Sequence, residues 1–137
     1  MKKFYVIFLT IDLVLIDQLV KWLVIKYYPY LVFENYGILF GFIKNSIITY
    51  ALLTFGVLVL IWLIVKEKKK FFNFFQILPI ILISAGAISN IIDRIIRGYV
   101  VDYVSFMNLN TFNLADVFIV SGVLLYAYQI LKPSIKQ

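Results

Sequence analysis

Asp102, in "GYVVDYVSF", and Asp116, in "FNLAD", are carboxylates set among apolar residues. An acid in such surroundings is costly unless it is paired, neutralised or put to use. Fourteen positions separate the two, with no basic residue between them, ample for a loop to return Asp102 beside position 116. Two carboxylates forced together where water is scarce cannot both ionise easily. They share a proton, so that one serves as general base and the other as general acid, which is the chemistry of an aspartic peptidase dyad. Asp116 has a competing explanation: with Asn113 as N-cap it falls at N3, where the helix dipole favours an acid and a capping-box-like pair forms. Asp102 has no comparable structural explanation.

Other chemistries are excluded by composition. The chain has no histidine, which removes a Ser-His-Asp triad, an H-E-x-x-H zinc site and any histidine base. It has no cysteine, so disulfides, thiolate metal sites, a cysteine nucleophile and lipidation on its own cysteine are ruled out. Carboxylates, lysine and serine remain. Asp17 and Lys21 stand i,i+4 in the stabilising order, and an internal salt bridge suffices to explain them. Asp12 lies about 140° from Asp17 around a helix and joins no cluster. Gly86, Asn90, Asp93, Arg94 and Arg97 fall within about 100° of arc on one helix face. Packing of Ser84, Ala85, Gly86, Ala87 and Ser89, with Asp93 paired to Arg94 or Arg97, is the plain account of that face. Pro79 lies in the same span, where a kink is expected.

The elements that must position these groups are membrane helices. Apolar residues make up 64% of the 137, against roughly 45–50% in a soluble domain. The mean hydropathy of +0.98 agrees. Residues 45 to 65 and 71 to 92 are uncharged runs, each near the ~20 residues a spanning helix needs. The expected fold is an all-α integral membrane protein with four transmembrane helices, about 4–26, 46–65, 71–96 and 113–132, in a single domain, 1–137. Lys2, Lys3, Lys66, Lys68, Lys69, Lys70, Lys132 and Lys136, eight of the 13 basic residues, then share one side. Positive-inside bias makes it the cytoplasm, with both termini there. The net charge of +6 is accordingly topological, and no nucleic-acid partner is read from it. The amino-terminal stretch contains Asp12 and Asp17 and is followed by no A-x-A site, so a retained first helix is expected. Between helices one and two, "YYPYLVFENYGILFGFIK" suggests a short strand or hairpin at the extracytoplasmic interface, with Tyr27, Tyr28 and Tyr30 as an aromatic belt.

In order and spacing, four blocks resemble the lipoprotein signal peptidases, also called signal peptidase II. They are "DQLVK" (Asp17 to Lys21), "NYGILFG" (Asn35 to Gly41), "AGAISNIIDRIIRGYVVDY" (Ala85 to Tyr103) and "FNLAD" (Phe112 to Asp116). The resemblance spans nearly the whole chain. It implies that Asp102 and Asp116 are the catalytic pair, and that Asp17, Lys21, Asn35, Asn90, Arg94 and Asn113 bind substrate or support the dyad. The chain departs from the family pattern at Ala85 and Ser89, where glycine is usual, and at Ile38 and Leu39, which replace small residues.

The activity so implied is that of a membrane aspartic endopeptidase. It would remove the signal peptide from a diacylglyceryl-modified bacterial prolipoprotein by cutting before the lipidated cysteine. No metal, cofactor or acyl-enzyme is required. The implied setting is the bacterial plasma (inner) membrane, with a multi-pass monomer surrounded by lipid and the site near the extracytoplasmic face. Two rival readings use the same residues. A small transporter or proton-conducting subunit would also place Asp12, Asp17 and Asp102 in a bundle, and a Ser/Lys peptidase would recruit Ser105 with Lys21 or Lys44.

Overall fold

The computed structural model describes residues 2–37, 74–106 and 110–131. Helix α1 (Lys2–Tyr27) ends at Pro29, which has no N–H to continue it and opens a single 3-10 turn, Pro29–Leu31. Strand β1 (Phe33–Asn35) follows. Helix α2 (Phe74–Arg97) stops at Gly98, whose φ of 81° is the left-handed conformation that terminates helices. The Gly98 N–H bonds back to Arg94 O at 3.1 Å, and Arg94 and Arg97 place positive charge in the last turn. Strands β2 (Val100–Asp102), β3 (Val104–Phe106) and β4 (Asn110–Phe112) lead into helix α3 (Leu114–Leu131).

Among the described helices α2 is the central one and packs against both α1 and α3. Two glycines allow its close approach to α3. A Cβ on Gly86 would sit 2.3 Å from Ala115 O, and one on Gly122 would sit 2.8 Å from Pro79 O. Pro79 lacks the N–H that would bond the Phe75 carbonyl one turn back, and Gln129 of α3 donates its side-chain amide to that oxygen instead.

Asp17 on α1, Ser89 on α2 and Ala115 on α3 are hydrogen-bonded, so the carboxyl halves of α1 and α2 meet the amino end of α3. Two antiparallel ladders lie at this end. Strand β1 pairs with β2, setting Phe33 opposite Asp102, Glu34 opposite Val101 and Asn35 opposite Val100. Strand β3 pairs with β4, with Val104 opposite Phe112 and Ser105 opposite Thr111. Among the described residues, the partner of β1 is thus the strand that follows α2.

The expectation of four membrane-spanning helices needs correction. Among the described residues there are three helices, and two of them, α2 and α3, are long and apolar enough to cross a membrane. The expected second helix, about 46–65, lies outside the described residues. Helix α1 does not join that class because Asp12, Asp17 and Lys21 interrupt its apolar run.

A core helix of a soluble domain would be mostly buried. Only 39% of the apolar window of α2 and 11% of that of α3 is buried. Among the described residues the interior, by contrast, is rich in polar groups: Asp17, Lys21, Ser89, Asn90, Asp93, Asp102 and Asn113 are all buried, alongside apolar residues that include Ile81, Ala85, Val101 and Ala115. Apolar outside and polar inside is the arrangement of a multi-pass helical membrane protein.

Candidate active site

The amino end of α3 explains why the polar groups converge. The first amides of a helix have no partner within it. Here Leu114 N–H donates to the Tyr103 phenol at 3.0 Å and Ala115 N–H donates to Asp17 Oδ1 at 2.8 Å. Asp116 N–H donates to Asn113 Oδ1 at 3.0 Å, and Val117 N–H donates to Asn113 O at 3.3 Å. Asn113 is therefore the N-cap. The pair is reciprocal, since Asn113 N–H reaches Asp116 Oδ2 at 3.3 Å in the manner of a capping box.

Capping does not use up Asp116. Its Oδ1 accepts Asn90 Nδ2 at 2.8 Å, and the residue is only partly buried. Asp102 is fully buried at the end of β2. Its Oδ1 accepts Asn113 Nδ2 at 2.7 Å, while its Oδ2 accepts Asn35 Nδ2 at 2.9 Å and Thr111 Oγ1 at 3.3 Å. One asparagine side chain thus holds both acids, its amide group on Asp102 and its carbonyl on the Asp116 backbone. The cross-strand register supplies Asn35, because β1 pairs with β2. Burial pushes the Asp102 carboxyl up to about 6; the Asn35 amide opposes this, and the charge of Asp116 adds to it. A carboxyl poised there can take or give a proton near neutrality.

Behind the pair lies a buried ionic network. Lys21 Nζ sits 2.8 Å from Asp17 Oδ2 and 2.8 Å from Asp93 Oδ2, and donates to Asn90 Oδ1 at 3.1 Å. Lysine only donates, so the oxygen of Asn90 must face it and the nitrogen must face Asp116. Arg97 pairs with Asp93, which also accepts Val101 N–H at 3.1 Å and so pins β2 to α2. Two acids and two bases balance, and no buried side-chain nitrogen or oxygen among the described residues is left without a hydrogen bond. Arg94 donates from Nη1 to Asn90 O at 3.0 Å and from Nη2 to Gly37 O at 2.8 Å, clamping the segment after β1 onto α2.

The eight residues singled out in the sequence are thus placed as follows. Asn35, Asn90 and Asn113 bond Asp102 or Asp116 directly, and Lys21 reaches them through Asn90. Asp17 caps α3 from another helix, and Arg94 clamps the neighbouring backbone. The Asp17–Lys21 ion pair is present, and Asp93 takes Arg97 and Lys21 as partners. Asp12 is exposed and has no part in this network. Ser105 is exposed on β3 while Lys21 is buried with its ammonium committed to three partners, so a Ser105–Lys21 pair is not assembled; the alternative partner, Lys44, lies outside the described residues.

Sequence reasoning missed Gln18, Tyr103 and Thr111 and read Ser89 only as a small packing residue. Ser89 bonds Asp17 at 2.6 Å, and Gln18 bonds Ser89, Asp93 and Arg97. Their adjacency to Asp17, Asn90, Asp102 and Asn113 was a usable signal. Burial, the cost of charging a phenol near Asp17, Asp116 and Asp102, and the opposing Leu114 N–H bond together leave Tyr103 pushed up to about 12, so it stays neutral.

The sequence profile of the family described as Signal peptidase (SPase) II matches residues 9–132. A lipoprotein signal peptidase of Caldicellulosiruptor bescii is 43% identical over 76 residues, which cover 56% of this chain and 48% of that protein. A lipoprotein signal peptidase of Caldanaerobacter subterraneus subsp. tengcongensis is 34% identical over 131 residues, 84% of this chain and 88% of that one. The fold resembles that of a bacterial membrane enzyme solved by the in meso method at 2.3 Å resolution, with a TM-score of 0.77 at 24% identity, covering 97% of this chain and 94% of the other. The profile takes in every residue from Asp17 to Asp116 that builds the site, and the protein belongs to the signal peptidase II family of membrane enzymes.

Proposed function

We propose that the protein removes the signal peptide from diacylglyceryl-modified bacterial prolipoproteins, cutting before the lipidated cysteine, with Asp102 and Asp116 as the catalytic pair. The observation that carries this reading is the bridging of both carboxylates by Asn113 at the buried end of the bundle. The pair holds one proton and titrates as a unit. The ionised member takes a proton from a water as that water attacks the scissile carbonyl. The protonated member hydrogen-bonds the carbonyl oxygen and then delivers its proton to the departing amine as the C–N bond breaks. Asn35 and Asn90 orient the acids, Asn113 holds them together, and Arg94 holds the Gly37 segment at the rim. Asp17 and Lys21 hold α3 and Asn90 in place.

The exposed apolar faces of α1 and α3 suit acyl chains and lipid. In this reading the single domain, 1–137, works as a monomer in the bacterial plasma membrane. Both termini are cytoplasmic, by the placement of the lysines, and the site lies near the extracytoplasmic face. Purified protein incubated with a diacylated prolipopeptide and no added metal is expected to release the signal peptide, with the new amino terminus at the lipidated cysteine. Cleavage at any other bond, or equal cleavage of the unlipidated peptide, would count against this substrate.

A further inference from the structure

We propose that Ser89 is a positioning residue for the cleavage reaction: acting through Asp17, its hydroxyl fixes the first turn of α3 and with it Asp116. This rests on the dyad reading above and adds a residue which that reading does not use. The direction of each hydrogen bond in the chain follows from the groups themselves. Arginine only donates, so the Gln18 atom that meets Arg97 Nη1 at 3.2 Å is Oε1. The Gln18 nitrogen must then point the other way, where it donates to Asp93 Oδ1 at 2.9 Å, Ser89 O at 3.1 Å and Ser89 Oγ at 2.9 Å. Ser89 Oγ is an acceptor in that bond, which directs its own proton to Asp17 Oδ2, 2.6 Å away. The remaining oxygen of Asp17 accepts Ala115 N–H at 2.8 Å, one residue before Asp116.

Lys21 performs only part of this task in the present chain. It approaches the same Asp17 oxygen from one turn further along α1 and divides its ammonium with Asp93 and Asn90. A carboxylate turns easily about its terminal torsion. The Ser89 contact comes from α2, so one carboxylate joins the three described helices. Ser89 and Asp17 are both fully buried, which keeps solvent from competing for these bonds.

The test is steady-state cleavage of a diacylated prolipopeptide by the purified full chain, with rates normalised to folded enzyme from unfolding curves. Ser89→Ala and Ser89→Gly are expected to lower kcat about five- to tenfold, as one lost hydrogen bond would, with KM within about twofold. Ser89→Thr keeps the hydroxyl and is expected to restore kcat to within about twofold of the parent. The proposal is overturned if Ser89→Ala keeps the parent kcat, if only KM changes, if Ser89→Thr is as impaired as Ser89→Ala, or if the loss follows the folded fraction. A parent enzyme that fails to cleave overturns the dyad reading itself and the proposal with it, and that outcome is read before any variant.

Discussion

Asn113 does the work of several residues at the site: it caps α3, donates to Asp102 and accepts the Asp116 N–H. Asn113→Ala removes all of these at once. We expect kcat/KM to fall by about 10²–10³, since misplacement of a reacting group is costly even where the group remains. Loss of less than threefold would mean that the pair is held by other means. The protonation of the pair gives a second test. Burial holds Asp102 at about 6, above the ordinary carboxylate range, so the acid keeps its proton below that pH and releases it above. A dyad needs one proton, so kcat/KM should fall as the pH rises past the pair's last deprotonation. Asn35 favours the charged form of Asp102 by hydrogen bonding, and Asn35→Ala should move this alkaline limb to higher pH. An unmoved or downward-shifted limb in the pH–rate profile would contradict that assignment. Asp102 and Asp116 were legible in the sequence because an acid without a nearby base is conspicuous in an apolar chain. Ser89 was not, because a serine among Ala85, Gly86 and Ala87 reads as helix packing.

Pro29, which stops α1, and Gly98, which stops α2, went unread as stop signals, but the start of α3 was legible from Asn113 as its N-cap. The β1–β2 ladder was not, because three-residue strands carry no periodicity and the partner comes from beyond α2. At this scale the contact between α2 and α3 is the vulnerable joint. A Cβ at Gly86 would meet Ala115 O at 2.3 Å, and backbone cannot yield as a side chain does. Gly86→Ala should destabilise the protein by about 1–3 kcal/mol and slow cleavage by displacing the first turn of α3. A thermal unfolding curve superimposable on the parent's would refute the packing argument. Gln129→Leu takes from the Phe75 carbonyl, freed by Pro79, its side-chain donor, and about 0.5–1.5 kcal/mol should be lost in the same measurement.

Among the described residues the governing fact is inversion: a balanced charge network is inside and a broad apolar surface outside. Counting apolar runs therefore misjudged the number of spans, because α1 carries Asp12, Asp17 and Lys21 within its run, the last two turned inward to the neighbouring helices. The network is balanced only with all its members present. Lys21→Met leaves Asp17 without a cationic partner and Asp93 with Arg97 alone, and should cost about 3–5 kcal/mol in detergent unfolding, well above the effect of an exposed lysine. An enclosed network of this kind is a rigid platform, and what it holds in place is the pair of acids. The most direct test is single-turnover cleavage of a diacylated prolipopeptide by Asp102→Asn and Asp116→Asn, each compared with the parent at equal folded concentration. Both variants are expected to unfold near the parent temperature and to cleave about a thousandfold or more slowly. Cleavage by either variant at the parent rate would show that the two aspartates are not the catalytic pair.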